Sequence, residues 1–243
     1  MTCKSNNPFT VVLSLVVAVL TAFVKNVCDF AVNSISADSS TALYIAKHIV
    51  YYFVLITIYF TYSSVIQKEK YSAKRITTKE ILAIYFSVNL ITVVFNKLLH
   101  NSTELNDISL GAVFIFSVLF SPLVEEFVFR YLFVSRLIRY GETTAVLVSS
   151  LVFACVHSYE MFLTSFLFGV FLGCVFIHNG FLSAYCIHFV YNFSVFLNMI
   201  AKLNLSSYIY GVFSSIMSII IMIAGILGFE YIIYTRFKNA KIT

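Results

Sequence analysis

Ser121-Pro122-Leu123-Val124-Glu125-Glu126-Phe127-Val128-Phe129-Arg130 is the stretch that decides how this chain folds. It places three charged side chains inside an otherwise apolar run. Gly111-Ala-Val-Phe-Ile-Phe-Ser-Val-Leu-Phe120 precedes it, and Tyr131-Leu-Phe-Val-Ser135 follows before the next arginine. Such a run is long enough to cross a bilayer, and a charge at bilayer depth costs at least ~2.5–3.5 kcal/mol on insertion scales. Three charges so close together therefore require partners, and the default reason for keeping them is function.

The whole chain has the same character. Of its 243 residues, 60% are hydrophobic and 11% charged, against about 25% charged in soluble domains. The mean hydropathy is +0.92. This composition identifies an integral membrane protein. With 8 Gly and 2 Pro, low-complexity disorder is excluded. No Trp is present, so the interfacial belt falls to Tyr and Phe. The formal charge of +5 reads as a topology signal rather than as a nucleic-acid surface. The five cysteines, Cys3, Cys28, Cys155, Cys174 and Cys186, contain no C-x-x-C and four lie in apolar runs, so they read as small buried hydrophobes.

Eight apolar segments have the length and periodicity of helices: Pro8–Val32, Thr41–Ile66, Ile81–Leu99, Ile108–Ile138, Thr143–Ser158, Met161–Ile177, Phe181–Ala201 and Tyr208–Tyr234. The first is longer than a signal-peptide core and lacks a small-residue cleavage site, so it reads as a retained helix. The expected fold is all-α, a polytopic transmembrane bundle of about eight helices in a single domain over residues 1–243, with its motif core at 121–193. The links 34–40, 101–107, 203–207 and the Asn179-Gly180 turn are short. Only the loop 67–80 is extended, and it carries Lys68, Lys70, Lys74, Arg75 and Lys79. By the positive-inside rule that loop, Arg136, Arg139 and the terminal Arg236, Lys238 and Lys241 face the cytoplasm. An even number of helices with both termini cytoplasmic satisfies all of them. The fifth and sixth segments are short for full crossings. The turn at Tyr159-Glu160 is therefore expected within the membrane, buried in protein.

Helical spacing sorts the charges. Glu126 and Arg130 lie one turn apart on one face and form a local ion pair. Glu125 lies about 100° round the helix from Glu126, points to a different neighbour, and has no obvious partner nearby in sequence. Phe153 and His157 are four apart, so the ring can fix the imidazole. His188 and Asn192 are four apart and share a face. Each of these is weak alone, and a lone His157 or His188 is ordinarily a satisfied core histidine. His48, His100 and His178 sit near helix ends and match no pattern. Lys25 and Asp29 read as a pair or as snorkelling ends. Asn89 and Asn96 read as interhelical hydrogen-bonding groups, and Gly169-x-x-x-Gly173 as a close-packing face.

Glu-Glu-x-x-x-Arg, then Phe-x-x-x-His, then His-x-x-x-Asn, in this order and each on its own helix, resembles the CAAX protease and bacteriocin-processing family of intramembrane endopeptidases. The Ras-converting CAAX endopeptidase is its eukaryotic member. The motifs run from Glu125 to Asn192, roughly the central third of the chain. The resemblance implies peptide-bond hydrolysis. Glu125 would be the general base that activates water, supported by Glu126, with Arg130 holding the pair. His157 would help bind and activate the water, and His188 and Asn192 would stabilise the oxyanion. Amide hydrolysis needs such a base, and one oxyanion donor supplies about 3 kcal/mol. Glu125, His157 and His188 also have the residue types of a three-ligand zinc site. Asn192 is a poor zinc ligand and a good oxyanion donor, which favours direct glutamate activation with no cofactor.

The short chain and minimal loops are similar to the bacterial branch, in a cell membrane. The expected partners are the bilayer and a peptide or small membrane-protein substrate, prenylated and CAAX-like or of bacteriocin type. Neither oligomeric state nor cleavage site is legible. The competing reading is a non-catalytic transporter or bacteriocin-immunity scaffold that uses the same cluster for binding. A proton relay has no need of an amide one turn from a histidine, and this separates the two.

Overall fold

The computed structural model describes residues 41–65, 75–99 and 108–240, together with nine single positions between Val12 and Val27. Those nine positions are helical. Seven further helices follow: α1 Thr41–Val65, α2 Thr78–Leu99, α3 Leu110–Tyr140, α4 Glu142–Cys155, α5 Phe162–Asn179, α6 Phe181–Asn204 and α7 Ser207–Ala240. The all-α, eight-helix expectation holds, with no strand among the described residues. α1, α3, α5, α6 and α7 are each long and apolar enough to cross a membrane, so the protein is an integral, multi-pass membrane protein. The links 34–40 and 101–107, the basic residues Lys68, Lys70, Lys74 and Lys241, and Lys25, Asp29 and His100 lie outside the described residues.

The chain divides into two compact units. One comprises Met1–Ala73 and Glu104–Phe193, and it contains α1, α3, α4, α5 and the first half of α6. α3 is its axis. Val128, Phe129, Leu132, Phe133 and Leu137 from α3 pack with Leu55, Tyr59 and Tyr62 from α1 and with Ala145, Val152 and Phe153 from α4. The rings of Tyr59 and Tyr62 meet Phe129 and Phe133 at centroid separations between 5.1 and 5.6 Å, within the range of favourable aromatic pairs. α3 ends at Gly141 and α5 at Gly180, whose φ values of 101° and 86° are accessible to glycine without strain. Each glycine turns the chain directly into the next helix.

α4 and α5 form a hairpin. α4 has 14 residues and rises about 21 Å, less than the ~30 Å hydrocarbon thickness. It ends at Cys155, before His157, and a single 3-10 turn at Tyr159–Met161 leads into α5. By length alone α4 is too short to cross, whereas α5 is long enough, against the expectation for the sixth segment, and Ser158 and Glu160 in the turn are exposed instead of buried in protein as expected. The Gly-x-x-x-Gly face packs inside this hairpin. A Cβ on Gly169 would lie 3.1 Å from the Ser150 Cβ, and one on Gly173 would lie 3.1 Å from Val146. Arg136 does not behave as an exposed topology marker. It is buried, and its Nη1 donates to the Leu132 carbonyl at 2.7 Å, because the chain beyond it turns back as α4.

The other unit comprises Lys74–Thr103 and Ser194–Thr243, with α2 and α7 as its main elements. α2 begins with Thr77-x-x-Glu80. The Thr77 N–H donates to the Glu80 carboxylate at 2.8 Å and the Glu80 N–H to the Thr77 hydroxyl at 3.3 Å, a reciprocal cap. α7 approaches α2 through Gly225 and Gly228. A Cβ on Gly228 would lie 2.5 Å from the Ala83 carbonyl oxygen, closer than any real contact. Gly228→Leu is expected to destabilise this unit by about 1–3 kcal/mol through overpacking. Gly211→Leu, where a Cβ meets nothing within 4 Å, is expected to be neutral. Thermal unfolding in detergent checks the pair, and equal midpoints for the two variants would contradict the close packing.

Candidate active site

α3 is not a uniform α-helix. Phe114–Phe120 and Glu126–Val134 are π-helical, and one α-helical turn, Ser121–Glu125, separates them. Pro122 accounts for the first irregularity. It lacks an N–H and its ring clashes with the carbonyl four residues back, and a helix relieves both by widening. In the i→i+5 pattern of this stretch the Ser121 N–H bonds the Phe116 carbonyl. The next donor would be residue 122, which has none, so the Ser117 carbonyl is left over. Asn192 of α6 supplies the missing donor, its Nδ2 lying 2.9 Å from the Ser117 oxygen. From α1, the Tyr52 hydroxyl donates to the Phe116 carbonyl at 2.9 Å and the Tyr44 hydroxyl lies 2.5 Å from Ser117 Oγ.

The charged residues sit one turn further on, with Glu125 6% exposed, Glu126 and Arg130 0% and His188 3%. His188 Nδ1–H donates to Glu126 Oε1 at 2.9 Å, a carboxylate oxygen being only an acceptor. That bond orients the ring and turns Nε2 toward Glu125 Oε2, 3.8 Å away and beyond direct hydrogen-bond range. The two glutamates therefore share one neighbour instead of pointing apart. The two nitrogens of a single imidazole, one facing each carboxylate, bring this about. Glu125 also has a local partner after all, because the Ser121 hydroxyl donates to its Oε1 at 2.5 Å.

Arg130 is paired as expected. Its Nε lies 3.3 Å from Glu126 Oε2, but the two groups are not aligned for a hydrogen bond, so charge rather than a shared proton holds them. Nη2 donates weakly to the Gly169 carbonyl at 3.4 Å, and the guanidinium carbon stands 4.7 Å from the centre of the Phe153 ring. Gly169 is the residue that lets α5 come this near. Phe153, itself buried, is more than a rest for His157: its ring also meets His188 at 5.9 Å. His157 touches it at 4.5 Å, tilted by 50°, and donates Nδ1–H to the Phe153 carbonyl at 2.7 Å. Its Nε2 is thereby left as the acceptor nitrogen. Phe168 of α5 closes the far side of His188 at 5.3 Å.

The structure thus gathers Glu125, Glu126, Arg130 and His188 directly, links His157 to them through Phe153, and engages Asn192 with the α3 backbone. Among the described residues no group of three or more His, Cys, Asp or Glu side chains has the spacing to hold a metal ion. Glu125, His157 and His188 do not form a three-ligand set in this arrangement, and no step below runs through zinc. Ser121 and Tyr52 escape sequence reasoning. The i, i+4 spacing from Ser121 to Glu125 was available in the sequence, but a helical serine is ordinarily read as bonding backward. Tyr52 carries no local signal at all. His48 and His178 stay outside the site: His48 Nδ1–H donates to the Tyr44 carbonyl at 2.8 Å, and His178 lies 3.9 Å from Glu142.

Removing one partner of a buried ion pair strands the other. Arg130→Met is expected to destabilise the protein by about 3–5 kcal/mol, and Glu126→Met/Arg130→Met by less than the two single changes summed. Chemical denaturation of the four proteins in mixed micelles measures this. Additive losses would contradict a coupled pair.

Residues 107–194 match the protein-family model described as type II CAAX prenyl endopeptidase Rce1-like. This range covers α3 to the middle of α6 and every residue of the site except Tyr52 of α1. No curated protein and no solved structure matched the chain. The matched segment bears Glu125, Glu126, Arg130, His157, His188 and Asn192, and over roughly that third of its length the chain is similar to the Rce1-like CAAX endopeptidases.

Proposed function

We propose that this protein is an intramembrane endopeptidase that hydrolyses a peptide bond of a membrane-associated substrate with water activated by Glu125. One observation carries the reading. Glu125 is buried with one carboxylate oxygen tied to Ser121 and the other facing His188 Nε2, while His188 is held in place by Glu126. A carboxylate held in this way can take a proton from a water that lies between it and a carbonyl carbon.

In the proposed reaction the water oxygen bonds to the scissile carbonyl carbon as its proton passes to Glu125. The carbonyl π bond opens to an oxyanion, which Asn192 stabilises through an amide N–H and His188 through Nε2–H when the ring carries a proton on both nitrogens. Asn192 spends one amide N–H on Ser117 and retains a second. Collapse re-forms the carbonyl and breaks the C–N bond, and Glu125 returns the proton to the leaving amine. His157 helps to hold the water through Nε2, since its Nδ1 is committed to Phe153. Arg130 holds Glu126 in place. The family match supports a prenylated CAAX-type peptide as the first substrate class to test, with bacteriocin-type peptides second. The proposed orientation places the basic loop and both termini in the cytoplasm, following the distribution of Lys and Arg.

Purified protein in lipid vesicles, presented with quenched prenylated and unprenylated peptides, tests the proposal. Glu125→Ala is expected to lower kcat/KM by ~10²–10⁴-fold, the usual worth of a general base. His157→Ala is expected to lose activity too. Unimpaired cleavage by both variants would refute the mechanism. If the wild type cuts nothing while both variants lose partner binding, the cluster is a binding scaffold. Exhaustive chelation, checked by elemental analysis, is expected to leave activity intact. Activity lost on chelation and restored by zinc would overturn direct glutamate activation.

A further inference from the structure

Serines inside helices usually donate to the carbonyl one turn back. Ser87, Ser135, Ser150 and Ser218 all do so here, to Ala83, Tyr131, Val146 and Ser214 respectively. Ser121 is different. Its hydroxyl runs forward one turn to Glu125 Oε1 at 2.5 Å. The carbonyl it would otherwise use is that of Ser117, and this accepts the Asn192 amide at 2.9 Å. The neighbouring Phe116 carbonyl accepts the Tyr52 hydroxyl at 2.9 Å, and the Tyr52 phenol also interacts with the Ser121 side chain and lies within electrostatic reach of Glu125. Two side chains from two other helices thus occupy the backbone acceptors beside Ser121, and its proton is directed to the carboxylate.

We infer that Ser121 is a positioning residue for Glu125: its hydroxyl, directed forward by Asn192 and Tyr52, fixes the carboxylate so that Oε2 alone faces His188 and the reacting water. The inference rests on the proposed function, since it assigns Ser121 a part in presenting the general base. The geometry behind it is independent of substrate identity. Ser121 need not touch substrate. It acts by removing the rotational freedom of a carboxylate that would otherwise sample several orientations, and a base displaced by about 1 Å can lose ~100-fold in rate.

The test is steady-state kinetics of wild type, Ser121→Ala, Ser121→Thr and Tyr52→Phe on the best peptide found for the wild type, with Glu125→Ala as the reference for a lost base and thermal midpoints measured alongside. Ser121→Ala is expected to lower kcat ~10–100-fold, the worth of a hydrogen bond to a charged group, with KM within about twofold. Ser121→Thr, which keeps a hydroxyl, is expected to recover most of that loss. Tyr52→Phe is expected to fall between Ser121→Ala and wild type. If Glu125→Ala is dead and Ser121→Ala keeps wild-type kcat, the positioning role is overturned while the protease reading stands. A loss confined to KM or to thermal stability, or a threonine variant as impaired as alanine, also overturns it, because packing alone would then explain the residue. A wild type that cleaves nothing overturns the protease reading and this inference together.

Discussion

A guanidinium and a carboxylate buried beyond any contact with solvent must be compensated where they stand, and the arrangement of the first unit follows from how Arg130 and Glu126 are compensated. Each buried ion costs several kcal/mol that a mutual contact at 3.3 Å offsets only in part. Three other helices add to that compensation. α3 supplies the pair, α6 the His188 Nδ1–H at 2.9 Å, α5 the Gly169 carbonyl and α4 the face of Phe153. Each compensation demands something of its helix. α5 needs glycine where it passes Ser150 and Phe153, and α4 needs an aromatic ring one turn before His157. The pair is thus a fixed point around which the neighbouring helices take their register, and fixing it also fixes Glu125 beside it.

The division of labour between the two glutamates follows. Glu126 has a partner on each oxygen, a hydrogen bond from His188 on one and the charge of Arg130 at 3.3 Å on the other. Glu125 holds only the Ser121 hydroxyl on one oxygen, and the other faces an imidazole at a distance too great for a direct bond. Two adjacent carboxylates in one buried site therefore differ in kind. Glu125 keeps one oxygen without a direct hydrogen bond, which is what the proposed proton exchange requires. The similarity to the Rce1-like CAAX endopeptidases agrees with the proposed division, since the matched range, residues 107–194, contains both glutamates, Arg130 and His188.

Much of this was readable from spacing. Glu126 with Arg130, Phe153 with His157 and His188 with Asn192 are all i, i+4 pairs, and a regular helix brings such pairs together whatever surrounds them. The eight helices were readable from hydropathy, and the early end of α4 from its length. What spacing could not supply was the departure from regular geometry. A proline at 122 announces a missing donor, but whether the helix kinks, breaks or widens depends on Asn192 and Tyr52, which lie on other helices. Glu125 and Glu126 reach the same imidazole because His188 of α6 presents one ring nitrogen to each, which spacing along α3 does not announce. Ser121 was overlooked because the acceptor it would ordinarily choose is taken by a residue some seventy positions later in the chain.

The central claim is that Glu125 and His188 act as one unit on the substrate. A double-mutant cycle on kcat/KM with Glu125→Gln, His188→Asn and the combined variant tests it most directly, because residues that act together are strongly non-additive. The account predicts a combined variant no slower than the slower single one, within a few fold. Losses that multiply, so that the combined variant falls by the product of the two single effects, would contradict it.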